Sequence, residues 1–433
     1  MDMPSSSPLT RMKLDDCLFF ALIFYLATFV FEALIRYELA QAHLENLLYF
    51  RDLIYGLSVA ILAMRAILQR NQIHFGNSAI ALVLLIHFIM GMLNGLALFS
   101  QLLAIKVFFP LLYGSAMWPI VSQRFTAFLL WMRFFFFASL LAVALQKIFG
   151  AMFWENQTYE TAFGVSHTSR TWWTDGELRL AGVARTSFDA AVMIGLGAFS
   201  SLLLARKAWQ RIIICILSLV GIFWTTTKGM LMVFFVLSLW FLFSNTRHRF
   251  TIGRAIASVY FVLAVSLPII VVFYDLGNHG SVRTAPPFLS SLWDRFSWMW
   301  PNAFDLFNQS WQYLTGMGIG AIGTAQLFGP DYYRVNAGDN IFVYCFVTFG
   351  VMAAPYLAFP LFQTWYRPGG NDQRSIWQIG ILLMTFGYGM TTNIIEEAFF
   401  CCMVGLCFGA AFSVIQKTEA GQPQLYSRRT IAL

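Results

Sequence analysis

The chain has 433 residues, of which 58% are hydrophobic, 17% aromatic and only 11% charged, whereas about a quarter of a soluble globular protein is charged. That composition excludes a water-soluble domain and a disordered chain, and it reads as a polytopic membrane protein whose partner is the lipid bilayer. The net charge of +7 is then a matter of membrane orientation, and nucleic acid is not an expected partner.

Runs long enough to cross roughly 30 Å of hydrocarbon occur at 17–35, 52–69, 79–98, 100–121, 126–150, 188–205, 210–225, 229–245, 255–274, 339–362, 376–394 and 397–416. They predict about twelve transmembrane helices, an all-α fold in a single membrane domain over 1–433. The first run follows "MDMPSSSPLTRMKLDD" without a small-residue cleavage pattern behind it, so an uncleaved span is expected in place of a signal peptide. If this end is cytoplasmic, the short connections "ARKAWQR" (205–211) and "NTRHRFTIGR" (245–254) fall on the same side, and Lys and Arg in short loops set topology. Two long segments, 151–187 and 275–338, are then periplasmic loops. The six cysteines (Cys17, Cys215, Cys345, Cys401, Cys402, Cys407) lie in apolar runs without a CxxC or a neighbouring histidine. They read as small buried hydrophobes, neither metal ligands nor a disulfide framework.

Function is therefore expected outside. Both long segments mix Trp and Tyr with Arg, Asp and Asn, as in "WENQTYETAFGVSHTSRTWWTDGELRLAGVAR". An aromatic plane beside polar side chains suits a pyranose, although the same tryptophans fit an interfacial belt. Three stretches stand out. "RLAG" (Arg179 to Gly182) precedes the run that opens "TSFDAAVMIGLG"; "DRFSWMWPNAF" carries Arg295 and is followed by Gly316, Gly318, Gly320 and Gly323 in "GMGIGAIG"; and Asp339-Asn340 open "AGDNIFVYCFVTFG", with Gly350 further along. An acid ahead of an apolar run also caps a helix, so cap and chemical group both stand for Asp339.

Taken in order, these stretches resemble the bacterial superfamily of O-antigen ligases and Wzy-type polysaccharide polymerases. There an Arg-x-x-Gly before a span, an Arg followed by an aromatic and a Gly-x-Gly-x-Gly string, and a His-Asn or Asp-Asn opening the next span recur. The likeness covers about 175 to 350. Ligases carry His-Asn where this chain has Asp339-Asn340, and Trp298 follows Arg295 one residue sooner than in the usual pattern. The Asp favours a polymerase, with the xanthan-type exopolysaccharide enzymes nearest in size and loop distribution; ligase-type transfer to another acceptor is the alternative.

The resemblance implies a metal-independent glycosyltransferase without cofactor, in the bacterial inner membrane with its active site toward the periplasm. Its substrates are an undecaprenyl-pyrophosphate-linked oligosaccharide donor and acceptor, with a chain-length regulator as a further partner. Arg179 and Arg295 are expected to clamp the leaving pyrophosphate, since guanidinium is always protonated and donates two parallel bonds to phosphate. Arg185 is the substitute for Arg179. Asp339 is expected either as base or as orienter of an arginine, with His279 as fallback base. Asn340, Trp298 and the backbone of Gly316, Gly318 and Gly320 complete the expected substrate contacts, the glycines by bringing N–H groups to phosphate or simply by allowing tight packing.

Charges within or at the ends of apolar runs are costly and by default functional. Lys106 is placed to reach the pyrophosphate, or to snorkel; Glu396 and Glu397 read as caps of the last span. No DxD-type metal cluster occurs in the long loops, "TDGE" at 174–177 being the nearest. Twelve spans also suit a secondary transporter or a lipid-linked oligosaccharide flippase. A transporter is expected to show internal repeats and midplane polar groups, and neither is evident; a structural partner in an envelope complex is the remaining class.

Overall fold

The computed structural model describes residues 8–68, 75–161, 164–174, 177–274, 290–329, 332–366 and 372–419. His279 lies outside them. Helix covers most of every apolar run named above: α1 Pro8–Val30, α2 Glu32–Gln41, α3 Phe50–Leu68, α4 Phe75–Leu93, α5 Leu98–Gln123, α6 Phe125–Phe149, α7 Ser187–Leu204, α8 Ala208–Trp224, α9 Lys228–Phe243, α10 Arg249–Phe273, and, after the second long segment, α14 Ile341–Phe349, α15 Ala353–Tyr366, α16 Gln373–Gly389 and α17 Ala398–Glu419. Among the described residues seven helices are long and apolar enough to cross a membrane, or eight if the pair Leu14–Val30 and Glu32–Gln41, bent by 82°, is one span. Three shorter apolar helices, Ala208–Trp224, Lys228–Phe243 and Ala398–Ser413, accompany them. The protein is thus an all-α polytopic membrane protein.

The bend corrects the expectation of one continuous first span over 17–35. α1 stops at Val30 and α2 turns away, because the Ala33 amide donates to the Val183 carbonyl at 3.0 Å and the Glu32 carboxylate is engaged by arginines. A charge held in this way is not free to continue into hydrocarbon.

Backbone approach binds the bundle together. α5 lies along α17, α6 along α7 and α10 along α16. At Gly114, Gly405 and Gly409 a Cβ would overlap a carbonyl of the facing helix, at Cys402, Leu111 and Ser115 respectively; small residues permit this contact where no hydrophobic force drives helices together. Gly405→Val is expected to cost about 1–3 kcal/mol by overpacking, read as a lower melting temperature in detergent. Gly56→Val, with nothing within 4 Å of its Cβ, is the control and should change little.

The described parts of the long segments are structured. The first carries two antiparallel hairpins, β1 Thr158–Thr161 with β2 Gly164–His167, and β3 Trp173–Thr174 with β4 Glu177–Leu178. The described part of the second carries α11 Ser290–Asp294, a π-helical turn Arg295–Met299, α12 Trp300–Phe304 and α13 Gln312–Thr315.

Candidate functional site

The loop after β4, the π turn after α11 and the residues ahead of α14 meet beside the end of α16. α14 starts where it does because Asn340, with φ −161° and ψ 135°, accepts from the amides of Phe342 at 2.7 Å and Val343 at 3.0 Å. Its Nδ2 donates to the carbonyls of Ala264 and Met390, each at 3.1 Å. Asn340 is fully buried and its amide is spent on these bonds, so the expected contact with substrate is replaced by a cap that ties α14 to α10 and α16.

With Asn340 as cap, the Asp339 side chain is free for another task. Its Oδ2 accepts from Arg295 Nη2 at 3.1 Å. Arg295 Nη1 donates to the carbonyl and hydroxyl of Ser291 at 2.6 and 2.7 Å, and Trp300 Nε1 donates to the Asp339 carbonyl at 3.4 Å. Burial pushes the Asp339 carboxyl up, and the Arg295 guanidinium opposes that shift.

Arg179 enters from the other side. Its guanidinium lies 4.2 Å from the Phe188 ring centroid, and Nη2 donates to Thr227 Oγ1 at 3.4 Å, at the start of α9. Burial lowers its pKa; Tyr388 counters this, and Arg295 is close enough to lower it further. The two guanidinium groups thus lie within electrostatic reach of each other, Arg295 paired with Asp339 and Glu396 within reach of that carboxylate in turn. The Nε of each arginine is buried without a hydrogen-bond partner, which leaves donors for an anion.

The other expected residues fall elsewhere. Arg185 does not stand in for Arg179: it approaches Glu32 at 3.9 Å, on the far side of a turn in which Gly182 has φ +60°. Lys106 is paired with Asp52 at 2.5 Å and lies over the Tyr49 ring. The glycine string is a packing device, which corrects its role as a phosphate cradle. The amides of Gly316, Gly318 and Gly323 donate to the carbonyls of Gln312, Thr348 and Asn336, and Gly318 and Gly320 press on the backbone of Gly91 and Gln101. Trp298 is 50% exposed on the π turn.

Glu396 and Glu397 are not simple caps. Glu396 accepts from the Thr324 amide at 2.7 Å and so holds the glycine loop from outside α17. Glu397 accepts from the Tyr388 hydroxyl at 3.5 Å, its Oε2 is buried without a partner, and burial, then Asp189, push its carboxyl well up. A raised carboxyl is protonated in the fold while the unfolded chain has already lost its proton, so this stabilisation is complete below the unfolded value of 4.5 and fades as pH rises through the folded value. Glu397→Gln is expected to flatten the decline of melting temperature as pH rises above 4.5; an unchanged slope would clear Glu397 of it.

Thr227, Phe188, Ser291 and Tyr388 carried no motif, and no sequence signal marked them. Glu32 did carry one, as an acid within an apolar run. Among the described residues no three His, Cys, Asp or Glu side chains gather as metal ligands. No family model, curated protein or solved structure matches the chain, so the site stands on its geometry alone.

Proposed function

We propose that the protein polymerises undecaprenyl-pyrophosphate-linked oligosaccharide repeats into an extracellular polysaccharide at the periplasmic face of the inner membrane, as a Wzy-type glycosyltransferase with about twelve spans. The observation that carries this reading is that Arg295, held on Asp339, and Arg179 lie within electrostatic reach of each other, each with a buried Nε that has no hydrogen-bond partner. An acceptor hydroxyl oxygen bonds to the anomeric carbon of the donor's reducing-end sugar. The anomeric carbon–oxygen bond breaks, and its electron pair leaves on the lipid pyrophosphate. Arg179 and Arg295 meet the charge that develops there, and because they are already held in place they need little reorganisation. Asp339, committed to Arg295, serves as a positioning residue; the hydroxyl proton passes to water as the new bond forms.

Purified protein supplied with lipid-linked repeats should lengthen them without an energy source, and activity should persist in EDTA. Translocation without lengthening would make it a flippase, and transfer of a finished chain to a different acceptor would make it a ligase. Loss of activity in EDTA with recovery in magnesium or manganese would overturn metal independence.

A further inference from the structure

Glu32, the first residue after the bend, is met by arginines from three elements. Arg36 Nε and Nη2 donate to its Oε1 at 2.8 and 2.5 Å, Arg51 of α3 lies 3.2 Å from Oε2, and Arg185 lies 3.9 Å from Oε1. Arg51 also approaches Asp52 at 3.9 Å, and Asp52 carries Lys106. Arg170 and Asp189 both act on Arg185, while Thr186 holds the Asp189 carboxylate through its hydroxyl at 2.7 Å. Five cations thus face three carboxylates, a surplus of two. By contrast, Arg65 with Asp15 and Arg124 with Asp16 are simple pairs.

A half-buried surplus of positive charge is unfavourable unless an anion completes it. Burial and the neighbouring Arg36 push the Arg185 guanidinium down to about 10, against the pull of Glu32. Arg51 Nη1 and Arg185 Nε are buried without a well-aligned acceptor. Forked donors of this kind match phosphate oxygens. The surroundings suit a lipid: Leu47, in the turn ahead of α3, and Phe50, Leu53 and Leu57 on α3 are each more than half exposed, and the Lys106 side chain is 42% exposed.

We propose that Arg51, Arg185, Arg36 and Lys106 form a second anion site, separate from Arg179 and Arg295, that holds the phosphate or diphosphate headgroup of a lipid whose chain lies along the apolar face of α3. A transferase working between two lipid-linked substrates must bind two diphosphates, only one of which leaves. A cluster tempered by its own carboxylates is suited to the one that stays. The assignment to the acceptor lipid rests on the function proposed above, whereas the anion site does not.

The test uses the full chain carrying Arg179→Ala and Arg295→Ala, in phosphatidylcholine nanodiscs, so that binding at the other site is removed. Inorganic pyrophosphate should raise its melting temperature saturably. Adding Arg51→Met should weaken that binding about tenfold or more, as loss of a charge-assisted pair predicts, and Lys106→Met should weaken it less because that amine is the more exposed. Glu32→Gln should tighten it, since the competing carboxylate is gone. Displacement of pyrophosphate by a polyprenyl diphosphate, and not by phosphatidylglycerol, identifies a carrier lipid; displacement by both identifies a bulk phospholipid headgroup; displacement by neither identifies a soluble phosphate and overturns the lipid assignment. No saturable binding, or affinity untouched by both Arg51→Met and Lys106→Met, overturns the site. Polymer synthesis without such binding sinks this inference alone. Binding without polymer synthesis by the chain with Arg179 and Arg295 intact sinks the polymerase and leaves the anion site standing.

Discussion

Arg295→Ala is expected to lower polymer formation by about a hundredfold or more, which corresponds to roughly 3 kcal/mol of transition-state stabilisation. The magnitude follows from how the side chain is held. Its two terminal nitrogens are fixed by the Ser291 carbonyl, the Ser291 hydroxyl and Asp339, so little entropy remains to be lost when charge appears on the leaving pyrophosphate. Lysine should rescue only in part, since one ammonium cannot span Ser291 and Asp339 while also donating to phosphate. Arg179→Ala should have a comparable effect, because the same leaving group lies between the two arginines in this mechanism. Arg179→Lys should lose more than a charge count implies, as the stacking on Phe188 depends on a planar cation. The measurement is chain length and yield at matched protein levels in the membrane. Near-normal polymer from Arg295→Ala would remove it from the active site.

Much of the helical layout was legible because it rests on local composition. An apolar run of sufficient length has few other ways to satisfy its backbone in hydrocarbon, and helix covers most of each run. What escaped depends on residues far apart in the chain. The bend after Val30 follows from Val183 and from arginines at positions 51 and 185, none visible from the run itself. The glycine string was ambiguous for the same reason. Whether its backbone faces a ligand or a helix depends partly on α4 and α5, about 220 residues earlier, against which Gly318 and Gly320 press. Asp339 and Asn340 are adjacent and cap about equally well, so sequence alone divided the roles poorly. The extended backbone at Asn340 aims its side chain at the helix and leaves Asp339 to reach Arg295. That an acid at this place orients an arginine was one of the readings open from sequence, and the 3.1 Å pair supplies its geometry. Thr227 carried no signal because a hydroxyl at a helix start is ordinary.

Asp339→Asn separates the remaining roles. The cap is not at stake, because Asn340 supplies it, so a loss of activity cannot be traced to an unwound α14. If Asp339 were the base, turnover should fall by about 10² to 10⁴, with the pH dependence of the reaction changing as its titrating group disappears. In the mechanism proposed here the carboxylate only positions Arg295, which Ser291 still anchors. The expected loss in kcat is then smaller, about tenfold or somewhat more. Removing the carboxylate paired with Arg295 also leaves the site more positive, so the lipid-linked donor should bind more tightly and KM should fall with kcat. The double variant with Arg295→Ala should be little worse than Arg295→Ala alone, because the two side chains act as one unit. Asp339→His tests the same point from the opposite direction: an imidazole titrating near neutrality should restore a base but cannot restore a charge partner at neutral pH. Near-complete rescue by His, with an ascending limb near pH 6.5, would show that proton transfer and not positioning is the task at this position.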